Sequence, residues 1–218
     1  MENKELHQDL IFGSLLGDGN LQTDSQGRTW RYRALQKAEH KEYLDHKYEI
    51  LKNLCNTGPI FGETEDTRTG NVSKRWYFNT RVDASLRFYA NMFYTYDHTQ
   101  DKWVKDVPSQ QNLEKNLTPR ALAYLYMDDG AVKWLGHSNA MRICTESFSV
   151  DGVIRFQKAL QNLYGINATL SNKKLKSEEI RKRLLIGEKD SANFREIIQP
   201  YLVNCMKYKV TDGNYGHL

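Results

Sequence analysis

The chain is poor in cysteine: three in 218 residues, with Cys55, Cys144 and Cys205 far apart and none in CxxC spacing. An odd, scattered set argues against a disulfide framework and a thiolate zinc site, and it points to a reducing intracellular compartment such as bacterial cytoplasm or organelle matrix. Long apolar runs are also missing. Residues 1–8 are polar and the apolar patch at 10–16 is broken by Gly13 and Ser14, so neither a signal peptide nor a membrane span is expected. The histidines do not form a zinc-protease pattern, because His40 and His46 are six apart and His137 has no neighbour of that kind. Nor does one charge dominate: 31 Lys plus Arg against 27 Asp plus Glu leave a net charge of +4.

What is present is positive charge set beside aromatic rings. Arg28, Arg31 and Arg33 cluster with Trp30 and Tyr32, Lys74 and Arg75 precede Trp76 and Tyr77, and Lys173, Lys174, Lys176, Arg181, Lys182 and Arg183 crowd one short stretch. Cations interleaved with aromatics suit phosphate contact and base-edge readout, although each cluster taken alone also fits a solvated face.

The chain also reads twice. Residues 3–18 carry apolar side chains at helical spacing, with Asn3 placed as a cap, and end at Asp18-Gly19. Residues 117–129 open with Thr118 as N-cap and Pro119 at the first helical position, and end at Asp129-Gly130. Strands at 31–37 and 141–146 follow, then amphipathic helices at 41–54 and 149–163 that close on Leu51-Lys52-Asn53-Leu54 and Leu160-Gln161-Asn162-Leu163. Further strands are predicted around 60–61 and 75–79, then around 168–170 and 181–186, with Asp83 and Asp190 opening a last helix in each half. The expectation is an α+β fold of two pseudo-symmetric αββαββα units, 1–104 and 105–218, joined through a polar linker near 97–114. Each unit has an antiparallel four-stranded sheet with helices on one face, and the units meet at a two-helix interface. On the first strand Arg31, Arg33, Leu35 and Lys37 share one face and Trp30, Tyr32, Ala34 and Gln36 the other, and the alternation does not say which face is open.

If the two repeated helices pack side by side, with Gly13, Gly17 and Ala123 permitting close approach, Asp18 and Asp129 meet at one end. A helix C-terminus gives a carboxylate no favourable dipole, so two together demand cations, and hard oxygen donors select Mg²⁺ over zinc.

Residues 11–19, Ile-Phe-Gly-Ser-Leu-Leu-Gly-Asp-Gly, and 122–130, Leu-Ala-Tyr-Leu-Tyr-Met-Asp-Asp-Gly, resemble the two motif copies of single-chain LAGLIDADG homing endonucleases. The resemblance spans nearly the whole chain. It implies that Asp18 and Asp129 are catalytic metal ligands helped by the carbonyls of Gly19 and Gly130, and that two saddle-shaped sheets read the major groove of double-stranded DNA while the strands are cut across the minor groove. It further implies a monomer, a long pseudo-asymmetric target and short 3′ overhangs, with Mn²⁺ replacing Mg²⁺ and Ca²⁺ supporting binding without cleavage. Under it the DNA-binding candidates are Arg28, Arg31, Arg33, Lys37, Lys74, Arg75, Lys173, Lys174, Lys176, Arg181 and Arg183. A basic residue late in each half falls at Lys105 and Lys209, with Lys207 competing for the second place, and a water-orienting polar group falls at Gln36 or Lys37 and at Thr145 or Glu146.

The motifs depart from the family pattern at Ile11, Phe12 and Leu16 and at Tyr124 and Met127, which bears on helix packing more than on metal binding. Tyr126-Met127-Asp128-Asp129 is also similar to the catalytic tetrapeptide of reverse transcriptases. Those enzymes hold the acids on a hairpin in a longer chain, whereas Thr118-Pro119 and the run after it predict a helix. Intron-RNA maturation and non-catalytic DNA binding on the same scaffold are the alternatives. Neither requires both acids.

Overall fold

The computed structural model describes residues 2–134, 136–175 and 177–210. Its centre is a pair of helices, α1 (Glu2–Leu16) and α5 (Pro119–Asp129). Residues 10–16 of α1 and 121–128 of α5 are buried on every side, the pattern of helices enclosed by other elements. α5 starts where its cap dictates: the Thr118 hydroxyl accepts from Ala121 N at 3.1 Å and donates to Asp9 of α1 at 2.7 Å. Close approach depends on Gly13, because a Cβ there would lie 2.1 Å from the Ala121 carbonyl oxygen.

Each central helix leads into the same series. In the first half β1 (Asn20–Gln22), β2 (Arg31–Lys37), α2 (Lys41–Leu51), β3 (Ile60–Glu65), β4 (Val72–Asn79) and α3 (Leu86–Phe93) follow α1. In the second, β7 (Gly130–Trp134), β8 (Ser138–Ile143), α6 (Val150–Tyr164), β9 (Ala168–Lys174), β10 (Ile180–Ile186) and α7 (Glu188–Ile198) follow α5. The sheets are antiparallel, ordered β1-β2-β4-β3 and β7-β8-β10-β9. The repeated αββαββα order, with a four-stranded antiparallel sheet in each copy and a helix pair between them, is the α+β architecture the sequence predicts.

Several boundaries move. α1 stops at Leu16, short of Asp18, and a tight turn in which Gly17 N and Gly19 N both donate to Ser14 O carries the chain past it. α2 gives way to a 3-10 turn at Lys52–Leu54. α3 begins at Leu86, with Asp83 accepting from Ser85 before it, and α7 begins at Glu188, two residues ahead of Asp190. Stretch 97–114, read from sequence as a connection, carries the end of β5 (Tyr94–Asp97), all of β6 (Lys102–Lys105) and most of α4 (Gln110–Asn116). Trp103 of that hairpin packs on Trp30 and Tyr96, while Asp106 accepts from Ser149 N at the start of α6. Lys105 is thereby held between the two halves.

Burial decides which sheet face is open. Tyr32 and Ala34 of β2 and Phe78 of β4 are buried with Tyr43 and Leu44 of α2, and in the second sheet Met141, Ile143, Leu184 and Ile186 are buried with Phe156 and Phe194. The alternate residues Arg31, Arg33 and Leu35 are only half-buried and Lys37 is exposed, so they face away from the helices.

Candidate active site

Asp129 is the last residue of α5, and Asp18 lies just past the end of α1. Burial raises the Asp129 carboxyl first, and the negative charges of Asp18 and Asp128 raise it further, to about 7. Burial and Asp128 likewise raise Asp18. Asp129 is half-buried and Asp18 reaches the surface, and neighbouring lysines pull the two carboxyls only part of the way back.

Two ammonium groups stand beside them. Lys105 Nζ donates to the carbonyls of Gly17 and Gly19 at 3.0 and 2.9 Å, and Lys209 Nζ donates to the carbonyl of Asp128 at 2.9 Å. Gly17 and Asp128 each immediately precede an acid of the pair, so the lysines bind corresponding places. Both are held below the ordinary lysine range by burial, which the nearby aspartates partly offset. The Tyr126 hydroxyl donates to the main-chain oxygen of Lys209 at 3.0 Å and so places the 3-10 turn that carries it. Lys207 is exposed on the same turn.

The buried face of β2 delivers Gln36, whose Nε2 donates to Asp18 Oδ2 at 3.5 Å and to Asp128 Oδ1 at 3.4 Å. Lys37 points the other way and meets Glu39 at 3.9 Å. In the second half Thr145 donates to Lys182 O at 2.9 Å and Glu146 pairs with Arg183. A cleft of about 500 Å³ opens over the site, lined by Asp18, Gln36, Asp128 and Lys209 together with Arg33 and Lys37 from the open sheet face. The open face of the first sheet is therefore continuous with the acids.

Strand register sorts the basic candidates. Arg75 is opposite Lys37, and Arg31, Arg33, Lys37 and Arg75 share the open face of the first sheet. Lys173 is opposite Arg181, and these two share the open face of the second sheet with Arg183. Lys74 and Lys174 fall on the alternate face, paired with Glu63 and Glu178, so the structure does not bring them to the others. Arg28 sits in the loop before β2, donating to Ser25 O, and Lys176 lies outside the described residues.

Three residues escaped the sequence reading. Arg142 is opposite Leu185 on the open face of the second sheet, and its two-residue alternation with buried Met141 and Ile143 was a signal for it. Asp128 and Lys47 form a buried ion pair at 2.6 Å. Lys47 interrupts the apolar stripe Tyr43, Leu44 and Leu51 of α2, where an isolated lysine demands a partner.

The donor set suits a hard divalent cation bound by one or two carboxylates and by oxygens of a phosphate substrate: two aspartates whose raised carboxyls the neighbouring lysines only partly offset, with main-chain carbonyls already aimed at cations. Gly17 O and Gly19 O are those that Lys105 engages, whereas Gly130 continues into β7 opposite Ile143. No cluster of three or more His, Cys, Asp or Glu able to hold a metal without substrate occurs among the described residues.

The site thus sets paired acids at the junction of two sheets whose open faces carry Arg and Lys. The LAGLIDADG DNA endonuclease family matches residues 8–194, and the chain belongs to that family. DNA endonuclease I-ChuI of Chlamydomonas applanata is 60% identical over 220 residues, covering 100% of both chains. Cytochrome b mRNA maturase bI2 of Saccharomyces cerevisiae is 29% identical over 208 residues, covering 94% of this chain and 47% of that protein. Among solved structures, the homing endonuclease I-WcaI bound to its DNA recognition sequence superposes with a TM-score of 0.78 at 20% identity, covering 95% of this chain and 86% of that one.

Proposed function

We propose that the chain is a site-specific DNA endonuclease of the mobile-intron type that hydrolyses one phosphodiester in each strand. The observation that carries this is the twofold set of Asp18 with Lys105 and Asp129 with Lys209, two members of which, Asp18 and Lys209, line a cleft that runs onto the open face of a basic sheet. The full-length match to a DNA endonuclease supports it.

Asp18 and Asp129, with nearby main-chain carbonyls, would hold Mg²⁺, which supplies an acidified water and charge for the leaving oxygen when bound. Mn²⁺ would substitute, and Ca²⁺ would support binding without cleavage. Lys105 and Lys209 release their carbonyl partners and stabilise the negative charge that builds on the phosphoryl group. Gln36 orients water at the first acid. The sheets lie along the major groove, place the acids across the minor groove and leave 3′ overhangs. Because the two halves of one chain present different side chains, the target is long and asymmetric and a monomer suffices. The three free thiols suit a reducing compartment, bacterial cytoplasm or organelle matrix. A maturase relative makes intron RNA a second candidate partner. Keeping an acid in both halves favours cleavage, because RNA binding requires neither.

The test is incubation of the purified protein with Mg²⁺ and a plasmid library of candidate sites. Linear products with 3′ overhangs are expected. Absence of cutting with every divalent cation tried, at a site the protein binds, overturns the reading.

A further inference from the structure

Asp128 breaks the twofold symmetry of the site. Its side chain is fully buried, and its Oδ1 accepts from Lys47 Nζ at 2.6 Å, Lys47 being 1% exposed. Asp128 ends the helix of the second half and Lys47 sits on α2 of the first, so the pair crosses the interface. Matching Asp18 with Asp129 and Leu51 with Leu160 gives the symmetry-related positions as Gly17 and Phe156. On that side the same place in the fold is filled without charge, and Phe156 is 1% exposed. A buried ion pair returns little more than its desolvation costs, and apolar replacements of similar volume are often as stable. Packing therefore does not explain why Lys47 and Asp128 stand here.

Their geometry supplies another reason. The Asp128 oxygen gripped by Lys47 is also the one that accepts from Gln36 at 3.4 Å, while the same Gln36 nitrogen donates to Asp18 at 3.5 Å. The carboxamide hangs between an acid of the first half and a carboxylate of the second, whose orientation Lys47 sets. The second half has no such arrangement. Asn20 is opposite Arg33 and Ala131 is opposite Arg142, each two residues past its acid, so the counterpart of Gln36 is Thr145, which donates to Lys182 O.

We propose that Lys47 and Asp128 are a positioning pair for Gln36, fixing its carboxamide against Asp18 and confining that support to one of the two cleavage sites. The two strands are then cut with unequal side-chain help. The inference rests on the nuclease reading above.

The test is the Lys47→Met/Asp128→Ala double variant, which removes both charges at once and leaves no buried ion alone. It should fold, melt no lower than the parent and bind DNA within about twofold of it. In single-turnover cleavage one strand should slow by ~10- to 100-fold and the other stay within about twofold, so that nicked plasmid accumulates. Gln36→Ala should slow the same strand, and adding it to the double variant should slow that strand no further. In the metal-free protein without DNA, the side-chain amide resonances of Gln36 should shift and lose exchange protection in the double variant. Equal slowing of both strands, additive losses, an unperturbed Gln36 amide, or a double variant that does not fold would each overturn the proposal. If the parent fails to cut, the nuclease reading fails, and the amide spectrum still decides the positioning.

Discussion

The open face of the first sheet sets Leu35, Ile60 and Tyr77 beside Arg33, Lys37 and Arg75, whereas that of the second gathers Arg142, Arg181, Arg183 and Lys173 with few large apolar groups. Where the halves meet, they agree: an aspartate closing or just past each central helix and a lysine on the carbonyl before it. Just behind that point they part again, with Gly13 matching Tyr124, Gly17 matching Asp128 and Gln36 matching Thr145. The contrast teaches that the duplication holds constant an acid and the ammonium beside it, which under the proposed function is what each strand of a duplex requires. Surfaces that meet different base pairs, and contacts that form once across a pseudo-twofold axis, are free to diverge.

Substitutions at the shared residues should be the most damaging. Asp18→Asn and Asp129→Asn should each lower double-strand cleavage on the order of 10³-fold or more while gel-shift affinity persists, and full cutting by either would show that the halves are not equivalent at the acids. Next comes the interface residue that differs between copies. Gly13→Ala puts a Cβ against the main chain of α5 and should cost about 3 kcal/mol in denaturant unfolding, and a parental midpoint would mean the central helices are farther apart. Lys105→Met and Lys209→Met should slow single-turnover cleavage ~10- to 100-fold with little change in affinity, whereas a loss confined to binding would reduce them to phosphate contacts.

A pH series sharpens the comparison further. The Asp129 carboxyl lies at about 7 in the fold against an ordinary 3.8, so its protonated form is favoured there, and its contribution to stability is present below about pH 4 and lost as pH rises through 7. Without metal, Asp129→Asn should therefore be more stable than the parent at pH 8 by about 1–3 kcal/mol, an advantage that fades towards pH 5. A pH-independent difference would contradict the burial of a charge that Lys105 and Lys209 only partly offset. The smallest effect separates the two faces of a sheet. Arg142→Ala should weaken DNA binding by about 1 kcal/mol and flatten its salt dependence by about one counterion, while Lys74→Ala should change affinity by less than about twofold. Equal losses would erase the distinction between open and covered faces.

Much of this was legible in the chain. Thr118-Pro119 announces a helix start, and the repeated Asp-Gly endings and the matching Leu-x-Asn-Leu helix ends reveal two units in one order, because helix and strand periodicities are local properties. The short strands β1 and β7 and the β5–β6 hairpin were not assigned to residues, since three to five residues carry too little alternation to register. Asp128 was visible beside Asp129 yet read only as part of the motif, and Lys47 lies 81 positions away from it.

The sequence by itself determined that two αββαββα units share one chain and that an acid beside glycine follows or closes each central helix. Capping, periodicity and composition act over a few residues and leave their mark there. Only the tertiary structure decided which sheet face is open, that Lys105 and Lys209 reach the carbonyls beside the acids, and that Gln36 is shared between Asp18 and an Asp128 held by Lys47. Those relations join groups far apart along the chain, and they exist only once α1, through Gly13, packs closely enough on α5 to bring the helix ends together.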